Sequence, residues 1–264
     1  MRLFDSHCHL DDRSYKKDLD AVIRRAHAAG VSRMMVVGTT RESAEAVVSL
    51  VESREDLYAS VGFHPHDAKD CSEEALEAVS ALALHRKVRA WGEIGLDFNR
   101  MHSSQEKQER WLFRQLEIAQ DLNLPLIFHE RDSRGRLVGI LNDFFSVHSG
   151  KTASGVVHCF SGTEEELEQY LSMGFHIGIT GIVTLKERGT VLRTLIPRIP
   201  PERLLVETDA PYLTPTPERN RVRRNEPAFV KSVLLKTAEV RGEDPEVLAA
   251  IVWENTCRLF RIDF

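Results

Sequence analysis

Short apolar runs alternate with helix-forming segments eight times along this chain, and that rhythm restricts its fold more than any other feature of the sequence. Extended segments are predicted at Leu3 to Leu10, Met34 to Val37, Leu57 to Phe63, Val88 to Glu93, Leu126 to Phe128, Gly155 to Val157, Phe175 to Ile179 and Leu204 to Val206. Between the first two, Ser14 to Gly30 reads as a helix, with Leu19, Val22, Ile23 and Ala26 at helical spacing and Gly30 as its stop. Helices are likewise predicted over Ala44 to Ser53, Glu73 to Leu84 and Leu137 to Phe145, with a weaker one before Pro197. Two carry capping-box signatures. Ser103-Ser104-Gln105-Glu106 opens a long helix with a Leu112, Leu116, Ala119, Leu122 stripe, and Thr163-Glu164-Glu165-Glu166 opens one running to Met173.

Eight strands separated by helices, with no linker or composition break, predict an α/β fold of a single (β/α)8 TIM-type barrel over residues 1–264. No G-x-G-x-x-G follows the first strand, which argues against a dinucleotide-binding sheet. The tail, 226–264, is expected to be helical and to pack on the outside, with Val230, Val233, Leu234 and Ala238, then Val247, Ala250, Ile251 and Leu259, facing inward. At 264 residues the chain is long enough for such a barrel.

No run of 18 apolar residues occurs, and the acidic Asp5, Asp11 and Asp12 argue against a signal peptide, so no membrane partner and a cytoplasmic location are expected. Cys8, Cys71, Cys159 and Cys257 form no C-x-x-C, as reduced thiols in such a compartment would not. The net charge of −5 argues against a surface that coats nucleic acid, but leaves room for a local basic pocket.

The chemistry begins in the first strand. His7 and His9 stand two apart on an extended segment, so their side chains share one face about 6.6 Å apart at the backbone. Cys8 and Cys159, adjacent to histidines on strands, should point away and serve as packing thiols. Glu93, His129, His158 and Asp209 each end a further apolar run, and a barrel delivers strand ends to one mouth. A lone strand-end histidine is commonly structural; six such residues at five strand ends build two adjacent metal sites. Glu93 is the natural bridge, because a carboxylate has two oxygens and an imidazole one lone pair. Such a set suits Zn, Mn, Co or Ni, with Mg a weaker match to so many nitrogens.

These residues resemble the TatD family of metal-dependent deoxyribonucleases, a branch of the amidohydrolase superfamily. The resemblance covers essentially the whole chain. It rests on Asp5-Ser6-His7-Cys8-His9-Leu10, Gly62-Phe63-His64-Pro65-His66, Gly92-Glu93-Ile94-Gly95-Leu96-Asp97-Phe98, His129-Glu130-Arg131, Val157-His158-Cys159-Phe160-Ser161-Gly162, Glu207-Thr208-Asp209-Ala210-Pro211-Tyr212-Leu213-Thr214-Pro215 and Asn225-Glu226-Pro227. It implies that His7, His9 and Asp209 hold one divalent ion and His129 and His158 the other, with Glu93 between them. It also implies exonucleolytic cleavage of DNA at single-stranded ends, and associates activity with Mg. Family members often carry Tyr after the Leu-Asp pair; this chain has Phe98.

Two-metal hydrolysis of a phosphodiester is therefore the expected reaction, with Asp209 also acting as general base. The alternative is hydrolysis of a small amide, lactone or phosphoester on the same scaffold. Candidate substrate contacts are His64, Arg131 and the loop arginines Arg221, Arg223 and Arg224, whose guanidinium forks suit phosphate. Glu226 and Glu207 are candidate acceptors that orient ligand histidines. His27 and His85 are expected to face solvent from helices, while His66, His102, His148 and His176 carry no assigned role. No obligate protein partner is evident.

Overall fold

The structure, a computed structural model, describes residues 1–147 and 154–263. Eight strands, β1 Leu3–Cys8, β2 Val31–Gly38, β3 Leu57–Val61, β4 Val88–Asp97, β5 Leu126–Arg131, β6 Gly155–Val157, β7 His176–Ile179 and β8 Leu204–Val206, lie side by side in sequence order. Every pairing is parallel. A bridge between Cys8 and Ala210, with Asp209 N–H to His7 O at 2.9 Å and His9 N–H to Ala210 O at 2.8 Å, brings the last strand back to the first. The result is the expected (β/α)8 barrel. Helices α1 Leu19–Ala28, α2 Arg41–Glu52, α3 Glu73–Leu82, α4 Gln105–Asp121, α5 Arg136–Val147, α6 Glu164–Ser172 and α7 Thr190–Leu195 alternate with the strands; α8 Val230–Arg241 and α9 Pro245–Leu259 follow. No helix among the described residues is long and apolar enough to cross a membrane.

Local chemistry explains where the elements depart from expectation. The helix predicted from Ser14 starts only at Leu19, because Asp12 accepts from Ser14 N–H and caps a separate 3-10 turn over Arg13–Tyr15. At α4 the capping box does not close: Ser104 caps Lys107 N–H, whereas Ser103 turns inward to accept from Lys69 N–H and donate to His66 O. At α6 it does close, with Thr163 and Glu166 reciprocating. Strands β4 and β5 run on to Asp97 and Arg131, four and three residues beyond the ends expected at Glu93 and Phe128. His85 lies in the turn after α3, while His27 is half exposed on α1 and pairs with Asp56. His148 lies outside the described residues.

Two apolar layers follow from strand alternation. Leu3, Met34, Val36, Leu57, Ala59 and Val61 face out, where they pack against helix residues such as Val22, Val47 and Val79. Phe4, Met35, Val37, Ala90, Ile127, Val156 and Leu205 form the second cluster, and the only helical residues in it come from α9. Of the expected buried face of α9, Leu259 is buried, but Val247 is 57% exposed and the helix also buries Leu248, Ala249, Val252, Trp253 and Cys257. The tail is not confined to the outer wall either. Trp253, Cys257, Phe260 and Ile262 join the inner cluster beside Phe4, whose ring lies 5.8 Å from that of Trp253, so the chain end closes the barrel floor. Each such side chain contributes roughly 1.5–3 kcal/mol by leaving water.

Candidate metal centre

The alternation that points Ile127, Val156 and Leu205 into the barrel points His129, His158 and Glu207, two residues later, into its opposite mouth. On two strands the parity changes. Pairing slips between Asp5 and Cys8 and again between Gly92 and Ile94, so Phe4 is inward yet Cys8 outward, and Ile94 returns to the outer layer after Glu93. These irregularities deliver His7 and Glu93 to the mouth. Cys159 and Asp209, in the turns after β6 and β8, have left-handed backbones with φ of 48° and 57°, a conformation uncommon outside glycine that clusters at functional sites.

Glu93 is almost fully buried, and its two oxygens face candidate ligand nitrogens on two sides. Oε2 lies 3.3 Å from His7 Nε2 and 3.9 Å from His9 Nε2. Oε1 lies 2.7 Å from His129 Nδ1 and 3.7 Å from His158 Nε2. Asp209 Oδ1 reaches both groups, at 3.4 Å from His9 Nε2 and 3.8 Å from His158 Nε2. His7 Nε2 and His9 Nε2 are 3.2 Å apart. Donor atoms about 2.1 Å from one tetrahedrally bound ion stand about 3.4 Å from each other, so these spacings fit metal shells.

The opposite nitrogens of three rings are anchored. His9 Nδ1 meets Val37 O at 3.1 Å, His158 Nδ1 meets Glu207 Oε1 at 2.8 Å, and His129 Nε2 meets Asp97 Oδ2 at 3.3 Å. Each contact fixes a tautomer that turns a lone pair toward Glu93. Glu207 stands beside His158, where the sequence offers it as a candidate orienting acceptor. It also accepts from Cys159 N–H at 2.6 Å and Ser6 Oγ at 3.2 Å. Glu226 does not share that role, since it pairs with Arg25 at 2.7 Å.

The electrostatics call for added positive charge. Burial pushes the Glu93 carboxyl up, but His64, His158 and His7 outweigh it and hold the group well below the usual carboxylate range. Burial likewise opposes ionisation of Asp209, and the His9 hydrogen bond with the His158 charge holds its value low. Burial disfavours charge on His9 and His129, yet Asp209 and Glu93 around the first, and Asp97 and Glu93 around the second, raise both to about 9. Carboxylates facing imidazole lone pairs need protons or cations between them, which is the condition a divalent ion meets.

His64 behaves differently. Its Nδ1 accepts from His66 N–H at 3.0 Å, so in the neutral ring Nε2 carries the hydrogen, 3.4 Å from Glu93 Oε1. Burial lowers its value to about 4, which keeps it neutral. Cys8 points outward as expected, donating to Met35 O. Cys159 stands at the mouth with Sγ 3.5 Å from Thr180 Oγ1, and burial pushes its thiol up, so it stays protonated.

A cavity of about 600 Å³ opens over the centre, and Arg131 lines it together with Arg100, Arg188 and Tyr212. The loop arginines are placed elsewhere. Arg224 is clamped by Asp18 at 2.7 and 2.8 Å and by Glu226 at 3.0 Å, over the Tyr15 ring, while Arg221 and Arg223 are exposed outside the cavity lining. Of the three expected substrate contacts, one is thus committed to ion pairs and the other two lie outside the cavity lining. Phe98 packs on the outer core. Sequence reasoning missed Asp97, which accepts from His66 Nε2 at 2.6 Å as well as His129. The motif Gly92 to Phe98 contains it, but its contact with His129 depends on β4 running four residues beyond Glu93.

The family model for TatD related DNase matches residues 4–261. The chain belongs to that family. A 3'-5' ssDNA/RNA exonuclease TatD of Citrobacter koseri is 42% identical over 99% of this chain and all of its own, and the Salmonella typhimurium protein of that name is 40% identical with equal coverage. Among solved structures, the TatD homologue YJJV of Escherichia coli superposes with a TM-score of 0.89 at 33% identity, covering 99% of both chains. A TatD family hydrolase of Entamoeba histolytica gives 0.88 at 26%, covering all of this chain and 99% of its own. The TatD fold and the six mouth residues therefore occur together in one hydrolase scaffold.

Proposed function

We propose that this TatD protein removes nucleotides from the 3' end of single-stranded DNA or RNA, using two divalent ions. The observation that carries this reading is Glu93, whose two oxygens face two separate groups of ligand nitrogens under an open cavity. His7, His9 and Asp209 would hold one ion and His129 and His158 the other, with Glu93 shared. Bound there, the ions supply Lewis acidity to water and to the phosphate oxygens.

The side chains perform the rest. Asp209 is ionised and partly open to the cavity, so its carboxylate accepts the proton of the attacking water. Attack forms a new bond from the water oxygen to phosphorus and breaks the bond to the leaving oxygen, which takes up the proton that Asp209 received. His64 donates its Nε2 hydrogen to a phosphate oxygen, and Arg131, Arg100 and Arg188 receive flanking phosphates. The four cysteines are free, which supports a reducing compartment such as the cytoplasm.

End-labelled single strands incubated with enzyme reconstituted in Mg, Mn, Co, Ni or Zn provide the test. A 5'-labelled strand should yield a descending ladder and a 3'-labelled one immediate release of label. Intact oligonucleotides beside rapid hydrolysis of a small diester would overturn the reading.

A further inference from the structure

Tyr212 is the aromatic side chain, apart from histidines, that lines the cavity, and it is 54% exposed. Its backbone is held on both sides, by N–H donation to Asp209 O at 2.8 Å and by acceptance from Asn225 Nδ2 at 2.6 Å. The ring stands edge-on to His9, with centroids 5.9 Å apart. A large apolar ring left half in water, rigidly mounted one residue shell from a metal ligand, is built to meet something flat.

The charges around it narrow what that is. Asp11 and Asp12, which follow β1, line the cavity on the side of the mouth where Tyr212 follows β8, so their carboxylates repel a phosphate carried past the ring. Arg100 follows β4 and Arg131 ends β5, across the barrel from β8 and β1, while Arg188 follows β7, on the side of Tyr212 away from Asp11 and Asp12. A continuous strand passing over Tyr212 would have to bring phosphates past Asp11 and Asp12. A strand end would not, because its last nucleoside carries no further phosphate.

We propose that Tyr212 is the stacking platform for the base of the terminal nucleotide, the one being released. This deepens the exonuclease reading and rests on it. Stacking tolerates every base, because each has a π face, so the platform selects a terminus without selecting sequence.

The test is a cycle between the ring and the base. Kinetics of terminal release are measured on one oligonucleotide with a normal 3' nucleotide and on the same strand with an abasic 3' residue. Tyr212→Ala should raise KM about tenfold or more on the normal end, with kcat less affected, and should leave the abasic end almost unchanged. Tyr212→Phe, which keeps the face and loses only the hydroxyl, should match wild type, and metal content should be equal in all variants. An equal rise on both ends, or none on the normal end, overturns the platform while exonuclease activity stands. Wild-type enzyme that cleaves neither strand would instead remove the exonuclease reading.

Discussion

Asp5 and Thr208 hold the seam where the first and last strands meet: Asp5 Oδ2 accepts from Thr208 Oγ1 at 2.5 Å, and Oδ1 accepts from Thr208 N–H at 2.8 Å. Both residues are fully buried, and each stands within two positions of a proposed ligand, His7 or Asp209. The contact therefore sets the distance between two walls of the metal centre.

Asp5→Ala should destabilise the fold by about 2–4 kcal/mol, because it strands a buried hydroxyl and a buried N–H. Thr208→Val keeps the backbone bond and should cost about 1 kcal/mol. Chemical denaturation of both and of the pair should give a coupling energy of about 1 kcal/mol or more. Strictly additive effects would show that the seam is held by other contacts.

The centre should bind about two divalent ions per chain by elemental analysis after reconstitution, since its donors exceed one tetrahedral shell. Glu93→Gln should fold normally, fall toward one ion and lose at least about a hundredfold in activity. Glu207→Gln, which leaves every ligand in place but loosens His158, should weaken metal binding about 10–100-fold in calorimetry. Wild-type affinity in Glu207→Gln would mean that His158 needs no such anchor.

Arg131→Gln and Arg100→Gln should each raise KM for an oligonucleotide and lower the steepness of its salt dependence by about 0.7 in logarithmic slope. Arg221→Gln and Arg223→Gln should change neither. Arg224→Gln should instead lower thermal stability, because Asp18 and Glu226 lose their partner. A salt slope that follows the loop arginines would reverse this assignment.

His176, at the start of β7, is buried against Gly155 O and is lowered from 6.5 to about 4, first by burial and then by Arg203. Between those values the unfolded chain binds a proton that the folded one refuses, so stability falls as pH drops from 6.5 toward 4 and is restored as pH rises. His176→Gln should flatten that fall by up to ~3 kcal/mol in metal-free protein. An unchanged pH dependence of the denaturation midpoint would assign the loss to other groups.

Much of this was legible in the sequence because strand alternation and strand ends are local. Ile127 to His129, Val156 to His158 and Leu205 to Glu207 each repeat one inward step, so ligand positions could be read from apolar runs. What was not legible depends on long-range pairing. The charge-rich run at Arg221 to Arg224 looks like a phosphate grip until Asp18, about two hundred residues earlier, is seen to hold Arg224. The face of α9 was misjudged for a similar reason: it packs against a barrel floor, and Trp253, Phe260 and Ile262 answer to Phe4 rather than to a simple amphipathic stripe.

The seam and the floor also order events during synthesis. A chain halted before Leu204 has neither a partner for Asp5 nor an Asp209, and its barrel floor is still unmade. The proposed ligand set spans His7 to Asp209, so the centre can come into being only after the eighth strand has been made.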